Sequence, residues 1–304
     1  MTHERFRGAL LGLACGDAVG TSVEFMPRGS CAPLDDMIGG GTFRLRPGEW
    51  TDDTSMALCL ARSLVETGGF DARDQIERYA RWQREGYLSS NGRCFDIGTT
   101  VLDALARFRE SGDPWSGSTD PRSAGNGSLM RLAPVPMFYA PDAAAAIHWS
   151  GQSSRTTHGC DEAIDACRLF GAMLARALAG ADREAVLAAG RDLPEDAAPL
   201  APKIAAVARG DYMAKSEREI RGSGYVVASL EAALFCFAKT TSYRDAILRA
   251  ANLGEDADTT AAICGQIAGA FYGESAIPAA WREKLAMRAL IEETADALRA
   301  ARPA

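Results

Sequence analysis

Apolar side chains recur every three to four positions along most of the chain, and this spacing predicts α-helices. It is clear at Ile76, Tyr79 and Trp82, and it returns over 164–174 and 230–237. Period-2 alternation, which would indicate strands, is hard to find. The pattern therefore predicts one mostly α-helical domain over residues 1–304, with its chemistry in the loops. Clusters of Gly, Pro and Ser place these loops near 27–48, 86–98, 111–127 and 208–224.

Two of the predicted helices carry glycine at every fourth position. The first row is Gly8, Gly12, Gly16 and Gly20, and the second is Gly265, Gly269 and Gly273. Each glycine inside a helix costs about 1 kcal/mol relative to alanine, so a row of them needs a packing reason. One reason is a groove that admits another backbone at close range. The alternative is chance in a chain with 30 glycines.

Composition fits a globular protein and excludes several functional classes. With 304 residues, 47% hydrophobic, the chain can bury a large core. Its net charge of −7 argues against a nucleic-acid-binding surface. No stretch reaches the roughly eighteen uninterrupted apolar residues that a membrane span needs, and the start does not resemble a signal peptide. The eight cysteines form no C-x-x-C pair, which predicts buried, reduced thiols in a cytoplasmic protein.

Two acidic clusters, 51–54 (TDDT) and 255–260 (EDADTT), combine carboxylates with hydroxyls. Adjacent carboxylates repel one another unless a cation or a shared proton offsets the repulsion. Oxygen-only sites suit hard cations such as Mg²⁺ or Mn²⁺, so the clusters indicate a metal site. Each cluster also precedes an apolar segment and could cap a helix. The two interpretations combine if two helix N-termini meet at one cation site.

Six blocks, in order along the chain, resemble the ADP-ribosylglycohydrolase family, closest to its bacterial dinitrogenase-reductase-activating type. The resemblance extends from about residue 4 to about residue 290. The blocks are the first glycine row with Asp17 (GALLGLACGDAVG), VEF at 23–25, TDDT at 51–54, GNGSLMR at 125–131, Thr157-His158, and NLGEDADTT at 252–260.

The resemblance implies an all-α fold with a binuclear metal centre at the base of a cleft that binds ADP-ribose. Two divalent cations, Mg²⁺ or Mn²⁺, are the implied cofactors. Glu255 departs from the pattern, because many relatives have glycine there; it would either add an acceptor near the metals or face solvent. The implied metal ligands are Thr51, Asp52, Asp53, Asp256, Asp258 and Thr259.

The resemblance also implies catalytic residues. Glu24 is expected at the mouth of the cleft as a gate or acid/base partner; the alternative is a surface carboxylate. Asp53 and Asp256 complete the predicted catalytic set. Asp96 resembles an aspartate at the substrate end of the cleft, where a carboxylate could hold a guanidinium bidentately. Alternatively, Asp96 caps a helix that begins near Thr99.

Further residues are predicted to bind the ADP-ribose. Small residues at 125–128 precede an apolar segment, so the start of a helix at Leu129 could cradle the diphosphate. His158 is expected to contact ribose or phosphate, or else to be a helix-start histidine bonded to backbone. Tyr225 could stack on adenine or pack in the core. The predicted substrate-binding set is Asp96, Gly98, Asn126, Gly127, Ser128, Met130, His158 and Tyr225.

The resulting prediction is a metal-dependent hydrolase that removes ADP-ribose from a modified protein by cleaving the N-glycosidic bond to arginine. Rival functions are hydrolysis of O-linked ADP-ribose, on serine or a small molecule, and recognition of ADP-ribose without turnover. An immunity role against a toxin ADP-ribosyltransferase is also compatible. The predicted partners are an ADP-ribosylated protein and the product ADP-ribose, without nucleic acid or membrane. The absence of a coiled-coil pattern favours a monomer.

Overall fold

A computed structural model describes residues 1–140, 142–193 and 198–301. Within these ranges the fold is built from α-helices and short 3₁₀ turns. The same ranges contain isolated β-bridges but no β-strands, which confirms the predicted all-α class. The α-helices are α1 His3–Gly20, α2 Asp52–Thr67, α3 Ala72–Glu85, α4 Thr99–Ser111, α5 Pro134–Tyr139, α6 Ala143–Arg155, α7 Asp161–Ala179, α8 Arg183–Leu187, α9 Pro202–Arg209, α10 Val226–Ala238, α11 Tyr243–Ala251, α12 Ala257–Tyr272, α13 Ala279–Lys284 and α14 Arg288–Ala301. The 3₁₀ turns are Thr21–Val23, Pro121–Ser123, Ala189–Asp192, Asp211–Ala214, Glu217–Glu219 and Glu274–Ala276.

Helix α3 shows how local sequence sets an element of this fold. The side chain of Asp71 accepts hydrogen bonds from the first free backbone amides, at Arg73 and Asp74, and so caps the helix. Gly86 ends it in the left-handed conformation, which glycine adopts without steric cost. Ile76, Tyr79 and Trp82 are buried, as their spacing predicts.

The first and twelfth helices pack backbone to backbone. A Cβ added to Gly12 would lie 2.3 Å from the carbonyl oxygen of Gly265, and one added to Gly8 would lie 2.2 Å from that of Gly269. At the far end, a Cβ on Gly20 would lie 2.4 Å from Cα of Asp258. This contact, called the glycine seam below, confirms the predicted close approach. Its members are Gly8, Gly12, Gly16 and Gly20 of α1, and Gly265 and Gly269 of α12.

Helix α1 lies at the centre of the molecule. Every residue from Gly8 to Gly20 is buried, and α2, α11 and α14 pack around the helix in addition to α12. The Tyr243 hydroxyl donates a 2.7 Å hydrogen bond to the carbonyl oxygen of Gly12. A helix that is apolar on all sides is expected only in such a core position.

The helix predicted from Leu129 is absent, and α5 begins only at Pro134. The preceding residues form a turn, because buried side chains bond to its backbone in place of a helical ladder. Gln266 of α12 donates to the carbonyl oxygens of Leu129 and Met130. Gln266 also accepts from the amide of Ala133, and Arg131 donates to the carbonyl oxygen of Gly127. The predicted helix N-terminus at 125–128 is therefore wrong.

The cysteines agree with the sequence pattern. All eight are free, and six of them are buried. Burial raises the pKa of the Cys15 thiol to about 12, which keeps it protonated and unreactive. None of the helices in the described ranges is long and apolar enough to cross a membrane.

Candidate active site

The two acidic clusters lie at the N-termini of α2 and α12, and these two helix ends meet. Thr51 and Asp256 occupy the N-cap positions, but neither side chain makes a capping hydrogen bond. The Thr51 hydroxyl oxygen instead lies 3.3 Å from Oδ2 of Asp258, which belongs to the other cluster. Helix capping alone therefore does not describe the clusters.

Asp17 of α1 holds the first cluster in place. Its Oδ1 accepts hydrogen bonds from the backbone amide and hydroxyl of Thr51, at 2.9 and 3.0 Å. Its Oδ2 accepts from the amide and hydroxyl of Thr54, at 3.1 and 2.6 Å. The start of α2 is thus capped from another helix. Sequence analysis gave Asp17 no role, although a lone acid in an otherwise apolar buried helix face is a usable signal.

Four oxygen-bearing residues form the floor of a cleft: Thr51, Asp53, Asp258 and Thr259. The Thr51 hydroxyl oxygen is 3.4 Å from Oδ2 of Asp53, and the Thr259 hydroxyl donates to the same atom at 3.3 Å. The Thr51 hydroxyl lies within hydrogen-bond distance of three carboxylates, those of Asp17, Asp53 and Asp258, but it has only one proton to donate. Oδ1 of Asp53 and Oδ1 of Asp258 are buried and have no hydrogen-bond partner among the residues that the structure describes.

The floor has the chemistry of a hard-cation site. Burial raises the pKa of Asp53 well above its usual range, and the charge of Asp17 adds to the effect. Burial, followed by the charge of Glu24, likewise raises the pKa of Asp258 well above its usual range. Unpartnered buried carboxylates are costly unless a cation or a proton compensates them. The oxygen-only donor set and the two unpartnered atoms fit a divalent cation.

At the mouth of the cleft, carboxylate oxygens of Glu24, Asp96 and Asp258 all lie within 4.8 Å of one another. Glu24 is only 3% exposed, so it is not a surface carboxylate. Burial, followed by the charge of Asp96, raises the pKa of Glu24 to about 10. Burial, followed by Asp17, raises the pKa of Asp96 to about 7. Asp96 does not cap α4, whose N-cap residue is Gly98.

The mouth is built from backbone in an uncommon conformation. Phe25, Asp96 and Glu255 have φ values of 63°, 60° and 59°, in the left-handed region that favours glycine. Two hydrogen bonds fix the chain here, from the amide of Phe25 to the carbonyl of Glu255 at 2.6 Å and from the amide of Glu255 to the carbonyl of Met26 at 2.8 Å. The conformation explains why glycine suits position 255. The Glu255 carboxylate pairs with Arg221 at 2.7 Å, so neither predicted alternative for this side chain describes it fully.

Two residues of the floor, Asp258 and Thr259, and the residues of the mouth border a cavity of about 670 Å³. The cavity is large enough for a nucleotide-sized ligand. Four predicted residues are not part of its lining: Thr51, Asp53, Ser128 and Tyr225. The predicted residues that line it are Glu24, Asp52, Asp96, Gly98, Asn126, Gly127, Met130, His158, Asp256, Asp258 and Thr259.

Asn126 and His158 shape one wall of the cavity. The Asn126 amide group donates to Oδ2 of Asp256 at 2.6 Å and to Oγ of Ser229 at 2.8 Å. The His158 ring packs against Gly127, where a Cβ would lie 3.0 Å from Cε1. Burial, followed by the charge of Arg131, lowers the pKa of His158 to about 3, so the ring is neutral at physiological pH.

Two predicted substrate-binding residues, Ser128 and Tyr225, are not among the residues that line the cavity, and their hydroxyl groups bond elsewhere. Ser128 is buried, and its Oγ accepts a 2.8 Å hydrogen bond from Ser154. The Tyr225 hydroxyl donates to Oε2 of Glu162 at 2.5 Å and accepts from Lys203 at 2.7 Å. The predicted contact of these two side chains with ADP-ribose stays a prediction. Buried Gln266 and Arg131, which fix the turn beside Asn126, were not predicted.

Comparison with known proteins agrees with this geometry. A family model described as ADP-ribosylglycohydrolase matches residues 1–304. The ADP-ribosylarginine hydrolase Tri1 of Pseudomonas putida (strain GB-1) is 48% identical, over 97% of this chain and 78% of its own. The ADP-ribosyl-(dinitrogen reductase) glycohydrolase of Rhodospirillum rubrum is 34% identical, over 94% and 92%. A solved structure titled "ADP-ribosylglycohydrolase-related protein complex" superposes with a TM-score of 0.87 at 41% identity, covering 98% of each chain.

Proposed function

The chain belongs to the ADP-ribosylglycohydrolase family, and from this premise we propose that it removes ADP-ribose from modified arginine side chains of proteins by hydrolysing the N-glycosidic bond. The main support for the proposal is the cleft floor, where buried carboxylate oxygens of Asp53 and Asp258 lack a hydrogen-bond partner in the described part of the chain. Relatives named ADP-ribosylarginine hydrolase, at 48% and 44% identity, support arginine as the linkage.

The cofactor is proposed to be two divalent cations, Mg²⁺ or Mn²⁺. When bound, such cations orient ribose hydroxyls, lower the pKa of water and stabilise developing negative charge. The fit rests on the oxygen-only donor set and on the unpartnered atoms of the floor. The residues that would hold the cations are Thr51, Asp52, Asp53, Asp256, Asp258 and Thr259.

The remaining residues of the cleft have assignable tasks. Glycosidic hydrolysis needs a group that moves a proton at the scissile bond. Glu24 is suited to this role because it lines the cavity and its buried Oε2 has no hydrogen-bond partner within the described ranges. Asp96, close to Glu24, is suited to hold the guanidinium. Asn126 orients Asp256 through its 2.6 Å hydrogen bond.

The ADP-ribose is proposed to bind along the wall formed by Gly98, Asn126, Gly127, Met130 and His158. These residues line the cavity beside the floor. The neutral His158 ring and the adjacent glycines leave the wall without a positive charge of its own. Binding would therefore depend on shape, on backbone groups and on the cations of the floor.

The test compares ADP-ribose release from matched arginine- and serine-ADP-ribosylated peptides, with Mg²⁺ or Mn²⁺ and then with EDTA. We expect metal-dependent release from arginine alone. The variant Asp258→Asn removes one charge from the floor and should lower kcat/KM at least about 100-fold. The control Asp71→Asn alters a helix cap on the surface and should keep full activity.

Three outcomes would contradict the proposal. Release from serine alone would overturn the linkage. Undiminished release in EDTA would overturn the metal requirement. Tight ADP-ribose binding without release from any substrate would favour a recognition module.

We also propose that residues 1–304 form one domain that acts in the cytoplasm as a monomer. The shared burial of α1 and α12, from opposite ends of the chain, supports a single domain. Light scattering after size-exclusion chromatography tests the monomer, since a dimer would double the mass of 32.3 kDa. A toxin ADP-ribosyltransferase remains a candidate partner, and co-purification with one would test it.

A further inference from the structure

Three phenylalanine rings form a continuous strip at the cleft mouth. The ring centroids of Phe25 and Phe43 lie 6.4 Å apart with an edge-on orientation, and those of Phe43 and Phe95 lie 5.2 Å apart. Phe25 is 62% exposed, the largest fraction among the exposed large apolar side chains described. Phe43 and Phe95 are half-buried. We call these three rings the aromatic strip.

Both ends of the aromatic strip are attached to the carboxylates of the mouth. Phe25 directly follows Glu24, and Phe95 directly precedes Asp96. Carboxylate oxygens of Glu24 and Asp96 lie within 4.8 Å of each other. Phe25 also lines the cavity. The strip therefore leads from solvent to a pair of acidic groups, which complements a flat, positively charged side chain.

The positions of the rings are fixed by the backbone. Phe25 is held at a φ of 63° by its hydrogen bond to Glu255. Phe43 lies at the tip of a tight turn closed by two hydrogen bonds between Gly40 and Leu45, at 2.7 and 2.9 Å. A left-handed, mostly exposed phenylalanine costs conformational energy and buries little surface. Packing within the described part of the protein leaves the Phe25 ring 62% exposed, so contact with a bound partner would account for its position.

We propose that the aromatic strip binds the arginine side chain of the modified protein and selects arginine-linked over serine-linked ADP-ribose. This inference rests on the proposed function. A guanidinium is planar and weakly hydrated, and it stacks on aromatic faces. The methylene groups of arginine add apolar contact with the same rings. Serine has neither group, so the strip discriminates between the two acceptors at the mouth of the cleft.

The experiment measures kcat and KM of Phe43→Ala on an arginine-ADP-ribosylated peptide, and the Kd for free ADP-ribose by calorimetry. Phe43 is chosen because it does not line the cavity. Loss of a stacked ring should raise KM about 3- to 30-fold, the range that cation–π contacts span. We expect kcat and the ADP-ribose Kd to stay unchanged. Phe43→Leu, which keeps apolar surface but lacks the π face, should recover only a minor part of the loss.

A matched control is Met213→Ala, since Met213 is 38% exposed and borders a different cavity. This variant should behave as the wild type. Phe25→Leu provides a second test from the other end of the strip and should raise KM in the same way. Thermal unfolding of each variant identifies any that are misfolded.

The inference and the proposed function fail in different ways. Absence of arginine-linked release by the wild type would overturn the proposed function before any variant is compared. If the wild type releases ADP-ribose from arginine but KM is unchanged in both Phe43→Ala and Phe25→Leu, only the proposed role of the aromatic strip is overturned. An equal weakening of free ADP-ribose binding would also overturn it, because the rings would then act on the common part of the substrate. Full recovery by Phe43→Leu would overturn stacking.

Discussion

The floor and the mouth of the cleft are built in opposite ways. The floor residues Thr51, Asp53 and Asp258 are at most 1% exposed and stand at the ends of two helices. The mouth residues Phe25 and Asp96 lie in loops, with backbone held in the left-handed region. Buried hydrogen bonds and backbone contact fix the floor, whereas loop geometry fixes the mouth. The floor therefore suits chemistry shared by a family, and the mouth suits the choice of acceptor.

The variant expected to have the largest effect is Asp17→Ala, which removes the hydrogen bonds that hold the floor in place. The change leaves two amides and two hydroxyls of Thr51 and Thr54 without their acceptor. We expect a loss of about 3 kcal/mol in the free energy of unfolding, because buried donors would be unsatisfied. Metal affinity should fall about 10- to 100-fold, as for other residues that orient ligands from behind. Calorimetric Mn²⁺ titration and thermal unfolding measure the two effects.

The control for this variant is Asp71→Ala. Asp71 caps α3 by accepting from two backbone amides, in the same manner, but on an exposed surface. Its loss should cost about 1 kcal/mol of stability and leave Mn²⁺ affinity unchanged. If Asp17→Ala also leaves Mn²⁺ affinity unchanged, Asp17 is only a structural cap.

A smaller effect is expected from Gly12→Ala in the glycine seam. The new Cβ would meet the carbonyl oxygen of Gly265 at 2.3 Å, so α1 and α12 must separate. Overpacking of this kind costs about 2 kcal/mol, and the separation should also weaken Mn²⁺ binding at the floor. The control Gly69→Ala has its nearest neighbour at 3.8 Å and should be neutral. Unchanged stability in Gly12→Ala, measured by denaturant unfolding, would show that the seam is compliant.

The smallest expected effect is a pH dependence of the metal-free protein. The folded pKa of Asp96 is about 7 and that of Glu24 about 10, both above the values in an unfolded chain. Such groups stabilise the fold when protonated, and the contribution is lost as the pH rises through the folded pKa. His158, with a folded pKa of about 3, has the opposite effect, but only below its unfolded pKa of about 6.5.

The effect of Asp96 and Glu24 should therefore be measured between about pH 6.5 and pH 8.5, where His158 no longer changes the stability with pH. In EDTA we expect Tm to fall by at least about 2 °C across this window. Added Mn²⁺ should raise Tm more at the upper end than at the lower. A Tm that rises with pH in EDTA would contradict the assignment of uncompensated charge to the cleft.

Sequence reasoning succeeded where a local pattern and its physical cause coincide. The clusters at 51–54 and 255–260 begin helices and meet, because carboxylates beside apolar segments both start helices and need compensation. The glycine rows predicted close packing, because few other reasons explain repeated helical glycine. Asp96 lies beside Glu24. Its place at the substrate end of the cleft came from the family resemblance rather than from its spacing, and it stays a prediction.

Sequence reasoning failed where distant side chains decide a local structure. The turn at 127–131 replaces a helix because Gln266, far along the chain, bonds to its carbonyl groups. Tyr225 turns to Glu162 and Lys203, which no neighbouring residue signals. The aromatic strip joins three segments through tertiary contacts, so no pattern along the chain marks it.

The glycine seam also fixes when the site can exist during synthesis. Helix α1 ends at Gly20 and its partner α12 begins at Ala257, so a ribosome releases the first long before it makes the second. At about 5–20 residues per second, α1 waits at least ten seconds or so for the surface that buries it. During that time the glycine-containing face of this apolar helix is not covered by α12 and is accessible to other chains and to chaperones. The cleft is thus completed only once α12 has been made, and a nascent chain cannot hydrolyse its substrate before then.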